Sequence, residues 1–95
     1  MPMKAKAEKD LREILNTVGL PVRGSYRPGE VQKILGISER ELQRIIARYE
    51  RDQVSGALKH PCSLDSFMLG QNRRIRFNEL VDFLCRNNSQ ERIFG

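Results

Sequence analysis

Between Ala5 and Val18 the apolar residues Leu11, Ile14, Leu15 and Val18 recur at three- and four-residue steps among mostly charged neighbours. That spacing places them on one side of a helix and predicts a first helix ending at Gly19. Leu20-Pro21-Val22-Arg23-Gly24 then reads as a connector, stiffened by proline and released by glycine. The pattern resumes at Pro28, where Val31, Ile34 and Leu35 form a second stripe. Proline suits a first helical turn, where its missing N–H has no partner to lose, and Glu30 complements the positive end of the helix dipole. A second helix is therefore predicted from Pro28 to Leu35, with Arg27 at its entrance.

The stripe breaks for three residues, Gly36-Ile37-Ser38, and starts again. Glycine is the residue a helix end in the left-handed conformation favours, and Ile37 is free to drop into the core at the turn. Ser38 followed by Glu41 is a capping-box signature: the serine oxygen accepts the residue-41 N–H while the glutamate reaches back. A third helix is predicted from Glu39 to Arg51, with Leu42, Ile45, Ile46 and Tyr49 inward. Residues 52–66 show no sustained period and contain Gly56, Pro61 and three serines. They read as an irregular excursion anchored by Leu58 and Leu64. Phe67-Met68-Leu69 and Arg74-Ile75-Arg76-Phe77 then flank Gly70-Gln71-Asn72-Arg73, the pattern of a short β-hairpin. Asn78 is the expected cap of a last helix, Glu79 to Arg86, burying Leu80, Val81, Phe83 and Leu84. The expected fold is mainly α with a small β-hairpin, in a single domain.

Ninety-five residues suffice for one hydrophobic core, and 39% apolar with 31% charged residues is ordinary for a chain that folds. Seventeen Lys and Arg against 12 Asp and Glu give a net charge of +5, which favours polyanionic partners. The charged N-terminal stretch lacks the apolar region of a signal peptide, and no apolar run reaches membrane-spanning length; a cytoplasmic protein with no membrane partner is expected. Cys62, Cys85 and His60 do not make the spacing of a structural zinc site, so no metal or cofactor is expected. No nucleophile motif, glycine-rich phosphate loop or paired carboxylates accompany His60, Asp65 or Asp82, and the reading is not an enzyme. With two tyrosines, four phenylalanines and no tryptophan, stacking platforms for single-stranded RNA are sparse.

Two helices joined by a three-residue turn containing glycine have the geometry of a helix-turn-helix. At about 100° per residue, the side of the third helix opposite its apolar stripe carries Arg40, Arg44, Ala47 and Arg51, flanked by Gln43 and Arg48, with Ser38 at its start. Arginine forks match guanine edges or phosphates, glutamine addresses adenine, and alanine permits close approach in a major groove. Glu39, Glu41 and Glu50 offer the opposite tendency, pairing with these arginines and blunting the field. Around the hairpin turn, Asn72 and Arg73-Arg74-Ile75-Arg76 make a basic ribbon: Ile75 points inward while Arg74 and Arg76 point outward, suited to phosphates or a minor groove. The arginines of helix and ribbon are expected to converge on one exposed surface.

The segments "YRPGEVQKILGISERELQRII" and "FMLGQNRRIRFNELVDFL" together resemble the winged helix-turn-helix domain of the MerR-like and phage excisionase group. The likeness covers about residues 25–86. It implies a winged helix-turn-helix with an extra N-terminal helix, binding double-stranded DNA in bacterial or phage regulation or as an excisionase-type recombination directionality factor. The third helix would read the major groove and the hairpin would act as wing. An integrase or RNA polymerase is the protein partner so implied. On this reading residues 1–24 are helix and linker, 25–88 the winged domain and 89–95 a flexible tail. Gln32 stands where the family has a small alanine, residues 52–66 are longer than in compact excisionases, and the first helix has no family counterpart. That helix is the element available for dimerisation. The residues after Arg86 offer no counterpart of the MerR dimerisation helix and effector site, so ligand sensing is not expected. The alternative function is a protein-interaction adaptor that turns the same basic face to an acidic partner.

Overall fold

A computed structural model describes residues 2–87. Its elements run α1 (Pro2–Val18), β1 (Ser25–Tyr26), α2 (Pro28–Leu35), α3 (Glu39–Ala47), β2 (Phe67–Leu69), β3 (Asn72–Arg76) and α4 (Phe77–Asn87). Four helices and a small antiparallel sheet of order β1-β3-β2 share one core. The expected flexible tail, residues 89–95, lies outside the described residues.

The first helix starts earlier than its apolar stripe suggests, and its buried row is Ala7, Leu11 and Leu15, one residue every four. Ile14 and Val18 are only half-buried, because α1 turns this row against α4. Its end has the two bonds of a Schellman motif: Leu20 N–H donates to Leu15 C=O at 2.9 Å and Gly19 N–H to Asn16 C=O at 3.4 Å, with Gly19 at φ +79°.

The second helix matches its predicted bounds, and Val31 and Ile34 are its buried residues. Arg27 N–H donates to Glu30 Oε1 at 2.9 Å, satisfying one of the donors left over at the helix start. Gly36 closes the helix at φ +67°, its N–H and that of Ile37 both donating to Gln32 C=O. Ser38 Oγ accepts the Glu41 N–H at 3.2 Å, opening α3. The reciprocal half of the expected capping box does not form, because the Glu41 carboxylate turns along the helix to Arg44 instead.

The third helix stops at Ala47 rather than Arg51. Its would-be last turn is claimed by a compact loop. Asp52 Oδ1 accepts the N–H groups of Val54 and Ser55, Gly56 at φ +74° donates back to Asp52 C=O, and Arg51 bridges Leu58 in antiparallel fashion. An aspartate bonding its own downstream backbone competes directly with helix continuation. The Asp52 carboxyl lies below the usual range because the Ser55 and Val54 N–H groups stabilise its charged form. Beyond this loop Leu64 is fully buried and its N–H donates to Ile45 C=O, tying the excursion under α3. Leu58, the other expected anchor, is only half-buried.

The hairpin forms with register Phe67↔Arg74, Met68↔Arg73 and Leu69↔Asn72 around a Gly70-Gln71 turn. Gly70 sits at φ +67°, the sign a two-residue type II′ connection requires at its first position. Strand β1 was not expected. It pairs Ser25↔Arg76 and Tyr26↔Ile75, so β3 is bonded on both sides. Since β3 runs directly into α4, the helix begins at Phe77, and Asn78 lies in its first turn instead of capping it. Leu80, Val81 and Phe83 are buried on α4, and Leu84 is half-buried.

Candidate functional site

The third helix rests on its buried Leu42 and Ile45, fixed by the turn after α2 and by Leu64 below. With those residues inward, Arg40, Gln43, Arg44, Ala47 and Arg48 are all exposed. Ser38 is exposed too, with its hydroxyl engaged in capping. At about 100° per residue the order around this face runs Gln43, Ala47, Arg40, Arg44, Arg48.

The ribbon meets one edge of that face. Gln32 of α2, Glu39, Gln43 and Ala47 of α3 and Arg73 of β3 line a common crevice of about 250 Å³. Successive strand residues alternate sides, so Arg73 shares the side of buried Ile75, the side on which the helices lie. Its Nη1 donates to Ser66 Oγ, which holds the guanidinium near the base of the hairpin. Arg74 and Arg76 stand on the other side of the sheet, as the alternation predicts, but that side faces away from the helices, so the expected convergence of these two with the arginines of α3 is not met. Arg74 Nε donates to Ser25 Oγ at 3.1 Å, while the Arg76 guanidinium lies 4.2 Å above the centre of the Phe67 ring. The ribbon arginine beside α3 is thus Arg73, and the two outward arginines are partly engaged elsewhere. Asn72 is exposed at the turn opposite Leu69.

Arg51 is a correction to the sequence reading. Outside the helix, it donates from Nε to Tyr49 Oη at 2.8 Å and from Nη1 to Gly56 C=O at 3.0 Å, on the loop rather than on the face of α3. Arg27 precedes α2 with an exposed side chain; its backbone, not its guanidinium, does the capping. That N–H is the largest influence holding the Glu30 carboxyl below its ordinary range, ahead of its ion pair with Arg23.

Three carboxylates qualify the charge of this surface. Glu41 pairs with Arg44 at 3.3 Å, both groups well exposed, a contact worth little in water. Glu50 is turned away to Lys59 at 2.9 Å, and that hydrogen bond lowers its carboxyl pKa. Glu39 remains in the crevice beside Arg73. The opposite flank of α3 is different in character. There Glu41 joins Asp10 and Glu13 on the rim of an apolar groove of about 1110 Å³, floored by Ile14, Ile37 and Leu84. One helix therefore separates an arginine-bearing face from an acid-rimmed one.

Sequence reasoning missed the parts that hold these pieces in place. Partly buried Glu79 accepts the Asp65 N–H and pairs with Arg86 at 3.0 Å, and Arg86 also donates to the carbonyls of Pro61 and Ser63. This clamp orients the stretch that leads into the hairpin. The seven-residue separation of Glu79 and Arg86 on one helix, two turns apart, was its visible signal. Among the described residues no group of three or more His, Cys, Asp or Glu is placed to hold a metal, and no helix is long and apolar enough to cross a membrane. No protein-family model matches this chain, and neither the curated proteins nor the solved structures yield a match.

Proposed function

We propose that this chain is a sequence-specific double-stranded DNA-binding protein of winged helix-turn-helix type, a small bacterial or phage transcription regulator or excisionase-like factor. Helix α3 enters the major groove and the β2–β3 hairpin lies alongside as the wing. The observation that carries this reading is the crevice in which Arg73 of the ribbon meets Gln43 and Ala47 of the helix. Two elements far apart in sequence thereby offer one continuous exposed surface. In that pose Arg40 and Arg44 supply forks for guanine O6 and N7, Gln43 addresses adenine, Ala47 lets the helix approach, and Glu39 is an acceptor for cytosine N4. Arg48 and Arg73 serve phosphates, which position without specifying.

The test is a mobility-shift titration on a pool of mixed duplexes at low salt, followed by selection of the bound fraction. Affinity should fall with salt at a log–log slope of about 0.9 per phosphate contact. Arg73→Ala should lower that slope by about one and weaken all sequences alike, whereas Arg44→Ala should flatten the selected motif. Absence of any shift at low salt would transfer the basic face to the adaptor reading, with an acidic protein as its ligand.

A further inference from the structure

Two large apolar side chains stand in solvent at the end of the ribbon: Met68 is 53% and Leu69 61% exposed. The other exposed large hydrophobics among the described residues, Val22 and Val54, are isolated in connectors, and single exposed apolar residues need no explanation. Met68 and Leu69 are adjacent, next to the Gly70-Gln71 turn, on opposite sides of the ribbon, and ladder pairing sets Met68 across from Arg73 and Leu69 across from Asn72. Behind them come Arg74 and Arg76. The tip is therefore apolar and its stem cationic. More than half of each side chain lies in water, so the tip adds little to folding stability.

We infer that the hairpin tip is a wedge that enters the minor groove and inserts Met68 and Leu69 against a base step, unstacking it and bending the duplex. The inference rests on the DNA-binding reading and adds to it a deformation. A ligand that is polyanionic on its outside and apolar within, with that interior reachable at a groove, matches this order of side chains. Arginine favours a narrow minor groove, and apolar side chains pushed between base pairs kink DNA. The wedge makes flexible pyrimidine–purine steps the preferred sequence beneath the hairpin, a specificity exercised without hydrogen bonds to base edges.

The experiment uses end-labelled duplexes of the selected sequence for resonance energy transfer, with 2-aminopurine beside the step beneath the tip. Wild type should bend the duplex by roughly 20–90° and brighten the 2-aminopurine as the base unstacks. Because both side chains are exposed, the double substitution Met68→Ala, Leu69→Ala leaves the fold intact, which circular dichroism checks. It should still shift DNA, roughly tenfold more weakly, at the low end of what burying such side chains supplies. Its complexes should be straight and dark. A wild-type complex that forms but stays straight, or a bend unchanged in the double variant, overturns the wedge and leaves duplex binding standing. No shift with any duplex overturns both. Vesicles of phosphatidylcholine and phosphatidylserine form a separate arm: binding there that depends on Met68 and Leu69, with no DNA bending, reassigns the tip to a lipid surface and overturns the inference.

Discussion

Replacing Tyr26 with phenylalanine removes one oxygen from the fully buried centre of the molecule and nothing else. That oxygen donates to Pro21 C=O at 2.8 Å and accepts the Arg23 N–H at 2.9 Å, folding the connector after α1 back onto β1. The ring would keep its packing and its place 5.2 Å beneath the Arg23 guanidinium. Pro21 is exposed and Arg23 half-buried, so water can reach the two orphaned groups, and the loss is the net worth of two hydrogen bonds rather than two full desolvation penalties. At about 0.5–1.5 kcal/mol each, Tyr26→Phe should destabilise the fold by about 1–3 kcal/mol. Urea unfolding followed by far-ultraviolet circular dichroism should show a lower midpoint at unchanged slope, and the thermal midpoint should fall by about 4–8 °C per kcal/mol. Tyr49→Phe is the matched control, because its hydroxyl meets only Arg51 on the exposed loop. It should stay within about 0.5 kcal/mol of wild type. Equal effects from the two substitutions would refute the claim that the buried hydroxyl fastens the connector.

Two glycines with open space around them should respond in opposite directions. Gly36→Ala forces a Cβ into the left-handed region at φ +67° and should cost about 1–2 kcal/mol, whereas Gly29→Ala, inside α2 with nothing within 4 Å, should gain about 0.5–1 kcal/mol. The same urea titration decides both signs. Acid should loosen the entrance of α2. The folded-state pKa of Glu30 is depressed, chiefly by the Arg27 N–H, so its contribution is present above the ordinary glutamate range and lost as the pH falls through that range and below. Glu30→Gln should therefore lower stability at neutral pH and flatten this part of the acid profile, and a profile identical to wild type would count against the bond.

The helices were legible where the signal is local. Pro28, Gly36 and Ser38 each act on neighbouring backbone, so the bounds of α2 and the start of α3 follow from them. The end of α3 was not, because the apolar stripe runs on to Tyr49 while Asp52 and Gly56 build a turn that takes the backbone away. Strand β1 was invisible for a different reason. Two residues carry no period, and their partners lie about fifty positions downstream, at Ile75 and Arg76. Of the candidate site, strand parity correctly put Arg74 and Arg76 outward, but parity cannot say on which side the helices pack. That placement, a tertiary fact, makes Arg73 the neighbour of Gln43. The burial of Ala7, with Ile14 left half-covered, is likewise set by the angle of α4 against α1 and not by the pattern of α1 itself.

Strand β3 is bonded on one flank to the residues that enter α2 and on the other to its own hairpin partner, and it continues without a break into α4. The ribbon is consequently soldered to the helix pair like one jaw of a fixed caliper. The long meander between Ala47 and Phe67 is pinned at its far end, by buried Leu64 beneath α3 and by the Glu79–Arg86 clamp on Asp65, while residues 53–57 stand exposed. Lengthening or trimming that exposed part alone changes how far the chain travels, while the aperture between helix and ribbon stays the same.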